Sequence, residues 1–166
     1  MLEFKTSKGT FTVQLFDKQA PISAENFRKY AEDGFFDGTV FHRVIPNFMV
    51  QGGGMTADLK PKSGQRAAIK NEATNGLKNK RGTLSMARTS DINSATSQFF
   101  VNLVDNDFLD HKSQSNYGYA VFGRIDSGME VIDEIAKVKT GSKGGHQDVP
   151  TEAVTIESVS VIPDKE

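Results

Sequence analysis

Cysteine and tryptophan are absent from this 166-residue chain, and histidine occurs only three times. Without cysteine there are no disulfides, no thiol chemistry and no cysteine-held metal, and nothing calls for an oxidising compartment. His42, His111 and His146 are far apart and none belongs to a His-Glu-x-x-His helix, so no metal site is expected. No apolar run is long enough to cross a bilayer, and Met1-Leu2-Glu3-Phe4-Lys5 lacks the apolar stretch of a secretory leader. No Asn-x-Ser/Thr sequon occurs either. A cytoplasmic protein with no membrane partner is therefore expected. The net charge of −1 is not the basic excess that nucleic acid would favour. There is no Gly-x-Ser-x-Gly elbow and no pair of carboxylates in an apolar setting, which sets aside the commonest hydrolytic chemistries. Gly52-Gly53-Gly54-Met55-Thr56-Ala57 matches the loose dinucleotide pattern, but no helical period follows before Pro61, so no cofactor is expected.

With 37% hydrophobic and 25% charged residues, the chain is expected to form one domain over residues 1–166, with nothing demanding more than a monomer. Residues 2–6 and 10–15 alternate about Ser7-Lys8-Gly9 and predict a hairpin with Leu2, Phe4, Phe11, Val13 and Leu15 facing inward. Pro21 opens a helix over residues 21–33, with Ile22, Phe27, Tyr30 and Ala31 on one face and Gly34 as its stop. Met129, Ile132, Ile135 and Ala136 predict a short second helix. Residues 55–81 and 140–150 read as loops. Residues 154–162 read as one strand whose apolar parity changes between Ile156 and Val159, predicting a bulge. About eight short strands with two helices and no βαβ rhythm predict a mainly β fold, a closed eight-stranded antiparallel barrel capped by two α-helices.

The most informative stretch is Phe41-His42-Arg43-Val44-Ile45-Pro46-Asn47-Phe48-Met49-Val50-Gln51-Gly52-Gly53-Gly54, two apolar strands broken by Ile45-Pro46-Asn47. Simple alternation puts Phe41, Arg43 and Ile45 on one side and His42 and Val44 on the other. An arginine and a glutamine in so apolar a run are either satisfied at a sheet edge or at work. A second block, Thr83 to Leu103, and the Phe108-Leu109 pair in a polar turn add aromatic surface. Phe48, Met49, Phe100, Phe108 and Leu109 with Arg43, Gln51 and Gln98 suit binding of an extended peptide with an apolar side chain, and do not suit bond cleavage.

Phe41 to Gly53, together with Leu84-Ser85-Met86-Ala87-Arg88 and Ser97-Gln98-Phe99-Phe100, strongly resembles the signature of the cyclophilin-type peptidyl-prolyl isomerases. Asn26-Phe27, Phe108-Leu109 and Val121-Phe122-Gly123 fall in the family's order, so the likeness spans the chain. Asn71-Glu72-Ala73 and His146-Gln147-Asp148-Val149-Pro150 look most like its bacterial cytoplasmic branch. The resemblance implies a barrel with a helix at each end, an outer-surface groove, and proline-containing peptides and folding proteins as partners. It implies Arg43, Gln51 and Phe48 as the catalytic set, with Met49, Ala87, Arg88, Gln98, Phe100, Phe108, Leu109 and Tyr119 binding substrate. Three departures stand out. Phe108 stands where many members have a tryptophan whose N–H helps hold cyclosporin, so weaker cyclosporin binding is expected. Tyr119 stands where a histidine is common, and Arg88 where a small or amide residue is usual. On this reading Arg43 donates to the proline nitrogen of the twisted amide, while Gln51 binds a substrate carbonyl or orients the guanidinium. The alternative is a non-catalytic module that uses the same groove to bind proline-containing segments. A holdase has no exposed apolar segment to support it.

Overall fold

Short alternating runs broken by turns build most of the molecule, and the computed structural model describes residues 1–164. Strands β1 (Leu2–Thr6) and β2 (Gly9–Leu15) form the N-terminal hairpin. Helix α1 (Pro21–Glu32) follows, then β3 (Phe41–Ile45) and β4 (Met49–Gly52). After a long connection come β5 (Thr83–Met86), β6 (Phe99–Asn102), β7 (Val121–Ser127) and helix α2 (Met129–Ala136). The chain then forms β8 (Thr140–Lys143), β9 (His146–Pro150) and β10 (Ile156–Val161).

Eight of these strands make one antiparallel sheet in the order β10-β1-β2-β7-β5-β6-β4-β3. The sheet curls until its edges nearly meet, but the expected closed barrel is overstated. No ladder joins β3 to β10, and the seam is tied just outside them by the Val40–Thr155 bridge. Phe41 N–H donates to Val154 O at 3.0 Å and Ile156 N–H to Thr39 O at 2.8 Å, so the seam's backbone groups are still satisfied.

Inward positions supply an aromatic core. Leu2, Phe4, Phe11, Val13 and Leu15 are buried as their alternation predicts. Phe27 of α1 reaches across one end of the sheet, its ring 4.8 Å from Phe36, 5.1 Å from Phe99 and 4.8 Å from Phe122. Ile22, expected on the same face, is 42% exposed, and buried Ser23 takes its place. The helix N-terminus has no local side-chain cap. Glu72 supplies one from a distant loop, accepting from Ser23 N–H and Ser23 Oγ at 2.7 Å each, where free N–H groups and the helix dipole favour a carboxylate. On α2, Ile132 and Ile135 are fully buried.

The C-terminal bulge occurs as the parity predicts. Phe4 faces Val159, Thr6 faces Ile156, and the register slips between them. Residues 140–150, expected as a loop, instead form the β8–β9 hairpin. Gly144 and Gly145 sit at φ +56° and +82°, the left-handed pair that a two-residue hairpin turn demands. The flanking polar strands carry no apolar alternation to betray it.

Phe99 touches Phe4, Phe27, Phe36 and Phe41 with centroids 5.1–6.1 Å apart. Phe99→Ala is expected to cost about 3–5 kcal/mol in a denaturant titration, while Val161→Ala, on an exposed strand end, should stay within about 0.5 kcal/mol of wild type.

Candidate functional site

The two faces of β3, β4, β6 and β5 differ sharply. In one row Val44, Val50, Val101 and Leu84 pair strand to strand, all fully buried in the core. In the alternate row Arg43 pairs Gln51, Gln51 pairs Phe100 and Phe100 pairs Ser85. Ile45 pairs Met49 and Met49 pairs Asn102 beside them. Period 2 therefore aims this second set at the outer surface.

Simple alternation misplaces Phe41 here. The β3–β4 register slips between Phe41 and Arg43, a bulge at His42. Phe41 and Val44 consequently both reach the core, while Arg43 faces out. The break after Ile45 is a turn with Pro46 at its second position and Asn47 at φ +62°, closed by Phe48 N–H donating to Ile45 O at 3.1 Å. It starts β4 with Met49 facing out beside Ile45.

Met49, Phe100 and Leu109 form a buried apolar cluster separate from the core, flanked by Ile45, Phe48, Ala87 and Tyr119. Around it lies a recess of about 120 Å³ lined by Arg43, Phe48, Met49, Gln51, Ala87, Arg88, Phe100, Leu109 and Tyr119. Nine of the eleven residues expected at the site thus meet in one place. Gln98 lines instead an adjoining trough of about 380 Å³, which shares Gln51, Ala87 and Arg88 with the recess. Phe108, 65% exposed, stacks on Phe48 with centroids 5.7 Å apart and does not line the recess.

Arg43 is solvent-exposed and has no carboxylate partner among the described residues. Gln51 does not reach it; its Nε2 donates to Gln98 Oε1 at 3.0 Å, which leaves the Gln51 carbonyl oxygen available. Gly54 makes that arrangement possible, because a Cβ there would lie 2.4 Å from Gln98 Cγ. The Tyr119 ring meets Phe100 edge-on with centroids 5.7 Å apart, and the Arg88 guanidinium carbon lies over the Tyr119 ring, 4.6 Å from its centroid.

Sequence reasoning missed the buried polar network that holds the recess-lining segments. Asn79, Ser85, Asn102, Asn106 and Asp110 are all buried and hydrogen-bonded to one another. Asn79 N–H and Nδ2 donate to Asp110 Oδ1 at 2.7 and 3.0 Å, and Ser85 Oγ and Asn102 Nδ2 donate to Asn79 Oδ1 at 2.6 and 3.2 Å. Asn106 Nδ2 donates to Phe48 O and to Asn102 Oδ1, both at 2.9 Å. This network ties Phe48 and the Leu109 turn to β6. Ser85 between Leu84 and Met86, and Asn102 between Val101 and Leu103, were the available signals: polar residues in apolar strands.

Among the described residues no group of three His, Asp or Glu side chains could hold a metal. His111 Nδ1 lies 2.8 Å from Tyr117 O, away from the recess. His42 is buried with Nδ1 unpartnered. Burial, then the charges of His146 and Arg43, push its pKa down to about 4.

Among the described residues, the lining of this apolar recess carries two guanidinium groups, Arg43 and Arg88, and no serine, cysteine, histidine or carboxylate. The comparisons specify it further. Residues 1–161 match the family model for cyclophilin type peptidyl-prolyl cis-trans isomerases. A peptidyl-prolyl cis-trans isomerase of Acinetobacter baylyi is 54% identical over 97% of this chain and 85% of its own length. Peptidyl-prolyl cis-trans isomerase B of Escherichia coli is 52% identical over 97% of this chain and 99% of its own. The crystal structure of a cyclophilin type isomerase of Cryptosporidium parvum, in the presence of the dipeptide Ala-Pro, superposes with a TM-score of 0.78 at 25% identity, covering 98% of this chain and 99% of that one. The chain belongs to the cyclophilin-type peptidyl-prolyl cis-trans isomerase family.

The depressed His42 pKa sets a pH dependence. The unfolded histidine takes up a proton below about 6.5, whereas the folded one stays neutral to about 4, so stability falls as pH drops through that window. Between pH 7 and pH 5 His42 should cost roughly 2 kcal/mol. Chemical denaturation of wild type and His42→Leu at both pH values checks it: the variant should lose less on acidification, and equal losses would exclude His42 as the cause.

Proposed function

We propose that this isomerase accelerates X–Pro rotation by stabilising the twisted amide with Arg43. The observation that carries the reading is an unpaired guanidinium at the rim of an apolar recess. Rotation breaks amide resonance over a barrier of about 18–20 kcal/mol, and the spontaneous exchange takes roughly 10–100 s. A turnover near 10³ per second needs roughly 7 kcal/mol of transition-state stabilisation, and no bond is broken. As the amide twists, the proline nitrogen regains its lone pair and becomes an acceptor. A donor aimed at it acts only in the twisted state, which is what raises rate rather than mere affinity.

In this reading Phe48, Met49, Phe100 and Leu109 hold the proline ring and exclude water, which strengthens the Arg43 contact. Gln51, held through its amide nitrogen by Gln98, offers its carbonyl oxygen to a substrate N–H. Ala87 and Arg88 flank the chain beside the proline, and Tyr119 closes the far wall. The rival reading, a binding module without catalysis, is not favoured: the close relatives carry the isomerase name, and Arg43 is free to act. A role in the folding of cytoplasmic proteins, acting as a monomer, belongs to the same proposal. No helix among the described residues is long and apolar enough to cross a membrane.

Arg43→Lys retains the charge but loses the planar fork of donors. In a coupled assay on a short Ala-Pro peptide it should lose at least about tenfold in kcat/KM at unchanged stability. Near-wild-type turnover would reduce Arg43 to a general positive charge. For cyclosporin, Phe108→Trp restores a donor that phenylalanine lacks. Calorimetry should show tighter binding by the variant than by wild type, and equal affinities would remove Phe108 from that interaction.

A further inference from the structure

The chain has six arginines. Arg28, Arg66, Arg81 and Arg124 each pair with an aspartate. Arg43 and Arg88 have no carboxylate partner among the described residues, and both stand at the groove. In a chain of net charge −1 the unpaired guanidinium charge is thus collected on one face.

Arg88 is also held in place. Its Nε and one terminal nitrogen donate to Gly118 O at 3.2 and 3.0 Å, and the other donates to Thr89 O at 2.9 Å. Its guanidinium carbon lies over the Tyr119 ring, 4.6 Å from the centroid. Such a cation loses little side-chain freedom when a ligand arrives, because neutral carbonyls and a ring have already ordered it. None of these partners cancels its charge. The trough beyond it is lined by Gln51, Gln65, Gln98 and small hydroxyl or apolar residues, again without a carboxylate.

Recess and trough share three lining residues, Gln51, Ala87 and Arg88, so the two adjoin. In an extended segment, side chains two residues apart project to the same face. A peptide with its proline in the recess therefore lays a nearby side chain in the trough, beside Arg88.

We propose that Arg88 makes this groove charge-selective, favouring proline segments with an aspartate or glutamate two residues from the proline, on the trough side, and disfavouring lysine there. This rests on the recess being the proline site. An ordered, half-buried guanidinium facing an acidic side chain should change affinity by about threefold to fivefold at low salt, and less as salt screens it.

The test uses capped Ala-Pro peptides with Glu, Ala or Lys two residues before the proline, and a second series with the charge two residues after it. NMR exchange and titration give turnover and Kd for wild type, Arg88→Gln and Arg88→Lys. In one series wild type should bind the Glu peptide about threefold or more tighter than the Lys peptide, the ratio shrinking with salt. Arg88→Gln should bring that ratio close to one, and Arg88→Lys should keep most of it. Equal binding of Glu and Lys peptides by wild type, with the Ala peptide still turned over, overturns the selectivity and leaves the isomerase reading intact. A preference that persists in Arg88→Gln removes Arg88 as its source. No catalysed exchange of the Ala peptide by wild type overturns the underlying reading, and this proposal with it.

Discussion

Between Phe41 and Arg43 the β3–β4 ladder carries one extra residue, and the faces of β3 are decided there. Before the bulge Phe41 packs against Phe99 in the core; after it, Val44 takes the inward role and Arg43 turns outward to stand opposite Gln51. A strand without the bulge would put Phe41 and Arg43 on one face, burying the guanidinium or exposing the phenylalanine, either of which is costly. His42, the residue at the slip, is left buried with a ring nitrogen unpartnered and a depressed pKa. The slip that turns Arg43 outward is therefore also the one from which the expected loss of stability in acid arises.

Everything else at the site depends on holding a small apolar recess rigid beside that cation. Met49 and Phe100 come from adjacent strands of the sheet, but Phe48, Leu109 and Tyr119 come from connecting segments, which a sheet does not position by itself. The buried amide network supplies the missing rigidity. Asn106 grips the Phe48 carbonyl, Tyr119 N–H donates to Leu109 O at 2.9 Å, and Asn79 links Asp110 to Ser85 and Asn102 on the strands. Hydrogen-bonded polar groups in a low-dielectric setting specify one arrangement sharply, which suits the proposed mechanism of shape and one well-aimed donor.

Much of this was readable from residue order. The N-terminal hairpin, the proline-opened helix and the bulge between Ile156 and Val159 follow from local periodicity and turn chemistry, and the structure has all three. Arg43 and Gln51 stood out as polar residues in apolar strands. The rest depends on non-local pairing. The His42 bulge is visible only against β4, and the β8–β9 hairpin has too little apolar alternation to announce itself. The seam between β3 and β10 closes through residues just outside both strands. Asn79, Asn102 and Asp110 lie up to 31 positions apart in the chain, and no single segment shows that they share hydrogen bonds. Arg88 stands out in the sequence as a departure from the family's pattern, but its seat on Tyr119 and Gly118 depends on a segment 30 residues further on.

The central claim is that Arg43 acts on the twisted amide and not on the resting peptide. Titrating a short Ala-Pro peptide into wild type and Arg43→Ala, while reading cis–trans exchange from NMR line shapes, separates the two. The account predicts a Kd within about twofold of wild type and an exchange rate lower by about a hundredfold or more, the size expected when one well-placed donor to a transition state is removed. A variant whose affinity falls as far as its rate, or whose rate hardly falls, would contradict it.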